Sequence, residues 1–157
     1  MIKRLIIPAL ICVLLLSSII SANAQEGFVK FVGKLNLKVF LEVALTDAEK
    51  EKGLMNRPGL AENRGMVFVF RPRKQTTFWM KDTLIPLDMI FINKGKIVKI
   101  IKNAMPNQTN ILYSSDSSVT EVIEVNGGFA DKHLIKAGGR VIFKNIPQID
   151  YSVHNAK

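Results

Sequence analysis

The sequence predicts a mainly β, β-rich α+β protein: a compact barrel-like fold or sandwich of seven or eight short, mostly antiparallel strands with one or two short helices. Three observations carry this. Leu35, Leu37, Val39, Leu41, Val43 and Leu45 recur at period two, the spacing that lines one face of a sheet. Turn chemistry such as Asn93-Lys94-Gly95-Lys96 cuts the chain at short intervals, as hairpins require. No alternation of strand and helix supports a parallel sheet.

Taken in order, Lys3 and Arg4 precede an apolar run from Leu5 to Leu16, and Ser21-Ala22-Asn23-Ala24 ends it before Gln25. That three-part pattern predicts a signal peptide over residues 1–24, cleaved on export, while Pro8 and the small residues argue against a membrane span. The protein is therefore expected to be periplasmic or secreted. Cleavage would leave 133 of the 157 residues, which is room for one core and not two. Cys12, the single cysteine, lies in the removed segment and follows Ile11, a residue unsuited to lipid anchoring. The mature chain is expected to have no disulfide, no thiol nucleophile and no thiolate metal site.

Residues 25–34 read as an N-terminal strand, Phe28 to Val32, with Gly33-Lys34 as a turn. The β domain then spans 35–146 and opens with the long alternating strand to Leu45. Thr46 and Glu49 have capping-box spacing, which predicts a helix from Asp47 to Lys52 stopped by Gly53. Leu54 and Met55 form an apolar plug, and Asn56 to Gly59 a turn. Met66 to Phe70 is apolar on both faces and reads as an interior strand. Arg71-Pro72-Arg73-Lys74 reads as a charged loop.

A strand to Met80, a bend at Pro86 and a strand from Asp88 to Ile92 follow. The hairpin turn returns the chain as a strand from Ile97 to Ile101. Asn103 to Ser118 has no period and reads as a long loop. Val119 to Val125 alternates and should bury one face. Gly127-Gly128 breaks it, Phe129 to Ile135 reads as one or two helical turns, and Arg140 to Lys144 closes as a strand. Residues 147–157 read as a flexible tail.

The net charge of +9 falls to +7 once Lys3 and Arg4 are removed. Such a charge suits an anionic small molecule or envelope polymer, yet lysines scattered along strands also keep a β protein soluble and guard its edges. Nucleic acid is not expected as a partner, because neither a basic helix nor an aromatic platform is present. A monomer with no membrane span after cleavage is expected.

Apolar mass and carboxylates meet most densely from Thr77 to Ile92. Asp82, Asp88 and Glu124 could form a carboxylate cluster able to act as acid and base. The plainer reading has Asp88 and Thr83 capping the Pro86 bend through backbone amides, with Glu124 paired to Arg57. No metal site is expected: the acids match no calcium loop, and His133 and His154 are the only imidazoles. The serines at 114, 115, 117 and 118 lack a nucleophile elbow. Met55, Met66, Trp79, Met80 and Met89 suit a core more than a pocket.

Four blocks, GLMNRPGL (Gly53 to Leu60), GMVFVF (Gly65 to Phe70), FWMKDTLIPLDMIFI (Phe78 to Ile92) and VIEVNGG (Val122 to Gly128), resemble in order and spacing the prokaryotic family called domain of unknown function 192. The resemblance covers roughly residues 37–144. It implies a small barrel-like β fold and no agreed reaction. The family's characteristic polar residues fall on Arg57, Thr83, Asp88 and Glu124. Asp82 stands where the family usually has Asn, and Gly138-Gly139 where it usually has Gly-Asp. Replacing an amide by a carboxylate at Asp82 removes two donors and adds charge.

The resulting expectation is a non-enzymatic ligand-binding module without a cofactor. Its cleft would be lined by Trp79 and Met80, with Arg57, Asp82, Thr83, Asp88 and Glu124 as polar contacts. The alternative is a carboxylate-dependent hydrolase of envelope glycans using Asp88 and Glu124, which requires both carboxyls in one cleft. A third reading is an accessory domain that docks on a partner through an exposed apolar patch.

Overall fold

The computed structural model describes residues 25–149, so the expected signal segment, Cys12, Tyr151 and His154 lie outside the described residues. Nine strands and two short helices follow in the order β1 (Phe28–Phe31), β2 (Lys38–Ala44), α1 (Asp47–Lys52), β3 (Arg64–Lys74), β4 (Thr77–Phe78), β5 (Leu87–Asn93), β6 (Lys96–Ala104), β7 (Tyr113–Ser114), β8 (Val119–Asn126), α2 (Phe129–Lys132) and β9 (Val141–Lys144). The fold is strand-rich, as the alternating pattern and turn chemistry predict. Seven strands form one sheet in the order β6-β5-β8-β3-β2-β1-β9, curled into a half-barrel, while β4 and β7 make a separate ribbon. The curl brings the two edges together: Lys96 bridges Arg140, and the Ile97 amide donates to the Gly139 carbonyl at 2.8 Å.

One pairing departs from the antiparallel rule. β2 and β3 run parallel, and the chain crosses between them through α1. That helix starts as its sequence dictates, with Thr46 accepting from the Glu49 amide and the Glu49 carboxylate reaching back to the cap.

Side-chain alternation divides the core into two layers. The inner layer, enclosed by the curl, holds Val67, Val69, Ile90, Ile92, Ile123 and Val125 with Phe129 of α2. The outer layer holds Met66, Phe68, Met89, Phe91, Val122 and Met80. Loops cover the outer face and are stitched to one another: the Asn56 amide donates to the Asp82 carbonyl at 2.7 Å, and the Asn107 amide to the Thr83 carbonyl at 3.0 Å.

Several boundaries differ from expectation. β2 starts at Lys38 rather than Leu35, because Gly33 and Asn36 both take positive φ and turn the chain; Leu35 is left 92% exposed. Arg71 to Lys74 is not a loop, since β3 runs through it past a register shift between Val69 and Lys74. The strand expected up to Met80 shrinks to the two residues of β4, whose partner β7 arises inside the stretch expected to be a loop. β8 buries both faces, not one, because it lies between β5 and β3 with a core layer on each side.

Candidate functional site

β8 carries two buried acids three residues apart, and an odd separation in a strand sends them to opposite faces. Glu121 faces inward, where Arg71 Nη2 donates to its Oε1 at 2.6 Å and the Thr120 hydroxyl to its Oε2 at 2.6 Å. Sequence reasoning did not single out this ion pair. The signal available was an acid inside an otherwise apolar strand, with Arg71 at the end of the strand beside it.

Glu124 faces outward. It sits in a cross-strand row of Glu42, Met66, Glu124 and Met89, running from β2 through β3 and β8 to β5. A methionine on each side and the cover above leave it 4% exposed. A Cβ built on Gly53, in the covering loop, would stand 3.8 Å from Glu124 Oε2 and 3.3 Å from the Phe68 ring. No hydrogen bond reaches this carboxyl among the described residues, and burial pushes its pKa up to about 8. At neutral pH it is chiefly the protonated acid, able both to donate and to accept.

Arg57 does not pair with Glu124 as the plainer sequence reading had it. Its guanidinium grips Glu42 with two parallel hydrogen bonds, Nη2 to Oε2 at 2.7 Å and Nη1 to Oε1. These bonds hold the Glu42 carboxyl below its ordinary range and leave part of the guanidinium's donor set unused. Glu42 and Glu124 lie on the same face two strands apart, about 10 Å across the sheet.

Asp88 is elsewhere. It pairs in register with Val125, one residue out of step with the Met89–Glu124 pair, so its side chain is on the inner face. There it is fully buried and accepts three backbone amides: Asn103 at 2.8 Å and Gly128 at 3.0 Å on Oδ1, and Ala130 at 2.7 Å on Oδ2. Gly127 fits this junction because a Cβ would stand 2.9 Å from Pro86 Cβ, and Gly128 because its φ is +83. Asp88 thus locks β5 to β6 and to the first turn of α2. It does not cap the Pro86 bend.

The expected carboxylate pair is therefore not formed. Asp88 and Glu124 are separated by the sheet itself, and two acids on opposite faces cannot flank one glycosidic bond. The expected cleft is not formed either. Met80 is fully buried in the outer core, and Trp79 is 41% exposed with Lys81 Nζ 5.3 Å from its ring centroid. Thr83 is buried with its hydroxyl donating to the Lys81 carbonyl at 3.2 Å, and Asp82 is exposed at φ 53. Arg57, Met80, Asp82, Thr83 and Glu124 do share the outer-face layer. Two residues along that face from Glu124, Asn126 borders a recess of about 330 Å³ with Leu60, Gly127 and Lys132. Among the described residues no three His, Cys, Asp or Glu side chains come together to hold a metal.

Fold and site define a small β half-barrel with a covered, unpartnered acid on its loop-clad face. The chain belongs to the DUF192 family, described as an uncharacterized ACR, whose family model matches residues 29–143. Two crystal structures are similar to it. A protein from Novosphingobium aromaticivorans DSM 12444, described as of unknown function, is 36% identical over 73% of this chain and 83% of that chain, with a TM-score of 0.70. One from Sinorhizobium meliloti 1021, described as a "putative transcription regulator", is 30% identical over 77% of this chain and 95% of that chain, with a TM-score of 0.71. No curated protein matches.

Proposed function

We propose that this chain is an exported, non-enzymatic ligand-binding or accessory domain whose site is the outer-face layer around Glu124. The single observation that carries the reading is a carboxyl that is buried, neutral and without a partner in a sheet whose other buried acids are saturated. Burying such a group unpaired costs stability, so a site that keeps one is suited to a ligand that supplies the partner. The fitting ligand presents a hydroxyl, carbonyl or amide to Glu124 and an anionic group to the unused donors of Arg57. Export rests on the N-terminal charge, apolar run and small-residue pattern.

The regulator description of the Sinorhizobium relative is not carried over. The two described helices span six and four residues, too short to supply a helix-turn-helix reader of the major groove.

A thermal-shift screen of residues 25–157 against envelope fragments and small anionic metabolites tests the site. These residues contain every described strand and both core layers. A true ligand raises the melting temperature of the native chain, and the gain shrinks in Glu124→Gln and Arg57→Ala. A gain that survives both substitutions would place the ligand elsewhere.

A further inference from the structure

We propose that the end of the half-barrel formed by the β1–β2 turn and the α2–β9 loop docks onto an anionic phospholipid bilayer. The surface is separate from the Glu124 layer. Residues 27–41 and 132–149 contain no Asp or Glu, and the fold brings these two stretches together: β1 pairs with β9, and the Val32 amide donates to the Arg140 carbonyl at 2.9 Å. A recess lined by Val32, Lys34, Leu134, Lys136 and Arg140 lies at their junction, and a second, of about 680 Å³, holds Lys30, Lys34, Leu35 and Lys38. Lys34 belongs to both, so the cationic surface is continuous.

Two features separate this surface from lysines scattered for solubility. None of Lys30, Lys34, Lys38, Lys136 and Arg140 has an ion pair among the described residues, and the two stretches that carry them hold no acid of their own. The collar also surrounds bare apolar tips. Val32 is 54% exposed, Leu35 92% and Leu134 67%. Leu134 is presented on a left-handed backbone at φ 53, a conformation that a leucine seldom adopts. Cations bordering exposed leucines match the layered chemistry of a bilayer surface, where phosphates lie outside and acyl chains beneath. A soluble anionic polymer would use the lysines and have no use for Leu35 and Leu134.

Flotation of residues 25–157 with vesicles of phosphatidylcholine, with and without about 30% phosphatidylglycerol, reads this directly. The chain is expected to float with the anionic vesicles, to remain in solution with the neutral ones, and to be released as salt rises. Leu35→Ser is expected to weaken partitioning about tenfold, and Lys34→Ser with Lys136→Ser about 25-fold, at roughly fivefold for each charge near an anionic leaflet. Lys52→Ser, on α1, should change nothing. Leu35, Lys52 and Lys136 are exposed and Lys34 is half-buried, so unfolding midpoints should stay near the native value, and partitioning reports the surface and not the fold. Failure to float with anionic vesicles would overturn the proposal. So would binding that Leu35→Ser leaves intact and that soluble polyphosphate matches, since it would assign the lysines to a polymer. Neither result touches the Glu124 site, whose ligands are read by thermal shift.

Discussion

Glu124 makes the stability of this protein depend on pH in an unusual direction. Its carboxyl is raised from 4.5 to about 8 in the folded chain, so between those values the folded state holds a proton that the unfolded state has released. Stability from this residue is full below pH 4.5 and is lost as pH rises toward 8, with a slope of at most about 1.4 kcal/mol per pH unit. His133 works against this at lower pH: burial and its lysine neighbours lower its pKa, so its contribution is present above about 6.5 and fades as pH falls. Glu124→Gln keeps size and polarity and cannot ionise. Urea midpoints from pH 5 to 9 should fall with pH in the native chain and stay level in this variant above pH 7. A parallel decline in both would remove Glu124 as the cause. At Asp82 the departure from the family's usual Asn is conformationally mild, because φ is 53 there and Asn and Asp tolerate that backbone better than other side chains.

Elements are joined most tightly where Asp88 gathers three amides from two other segments. Asp88→Asn keeps one accepting oxygen but turns donors toward backbone N–H groups. It should destabilise the fold by about 3 kcal/mol, measured as a shift in denaturation midpoint with an unchanged slope. A cost below about 0.5 kcal/mol would show that the lock is not needed. The element boundaries also show which parts of the chain were legible. The capping box, α1 from Asp47 to Lys52 and the Lys94-Gly95 turn follow from local chemistry and occur where expected. The β4–β7 ribbon pairs residues more than thirty positions apart, and no local period announces so short a pairing.

For the whole molecule, one end is cationic with apolar tips and one face is loop-clad over a buried acid. No described helix is long and apolar enough to cross a membrane. The export reading is tested by mass spectrometry of the chain recovered from an expressing bacterium: the expected species begins at Gln25 and fractionates with the periplasm or medium. An unprocessed chain beginning at Met1 and found in the cytoplasm would contradict it.

By itself the sequence determined the strand-rich class, the family, the first helix and the principal turns, because each is written in period, caps and punctuation within a few residues. It also named Asp88 and Glu124, beside Asp82, as candidate acids. Only the tertiary structure decided that they face opposite ways, that one is saturated by amides and the other bare, and that Arg57 is held by Glu42. Period two makes neighbours alternate, but which side is covered, and who waits there as a partner, depends on the register of strands distant in the chain.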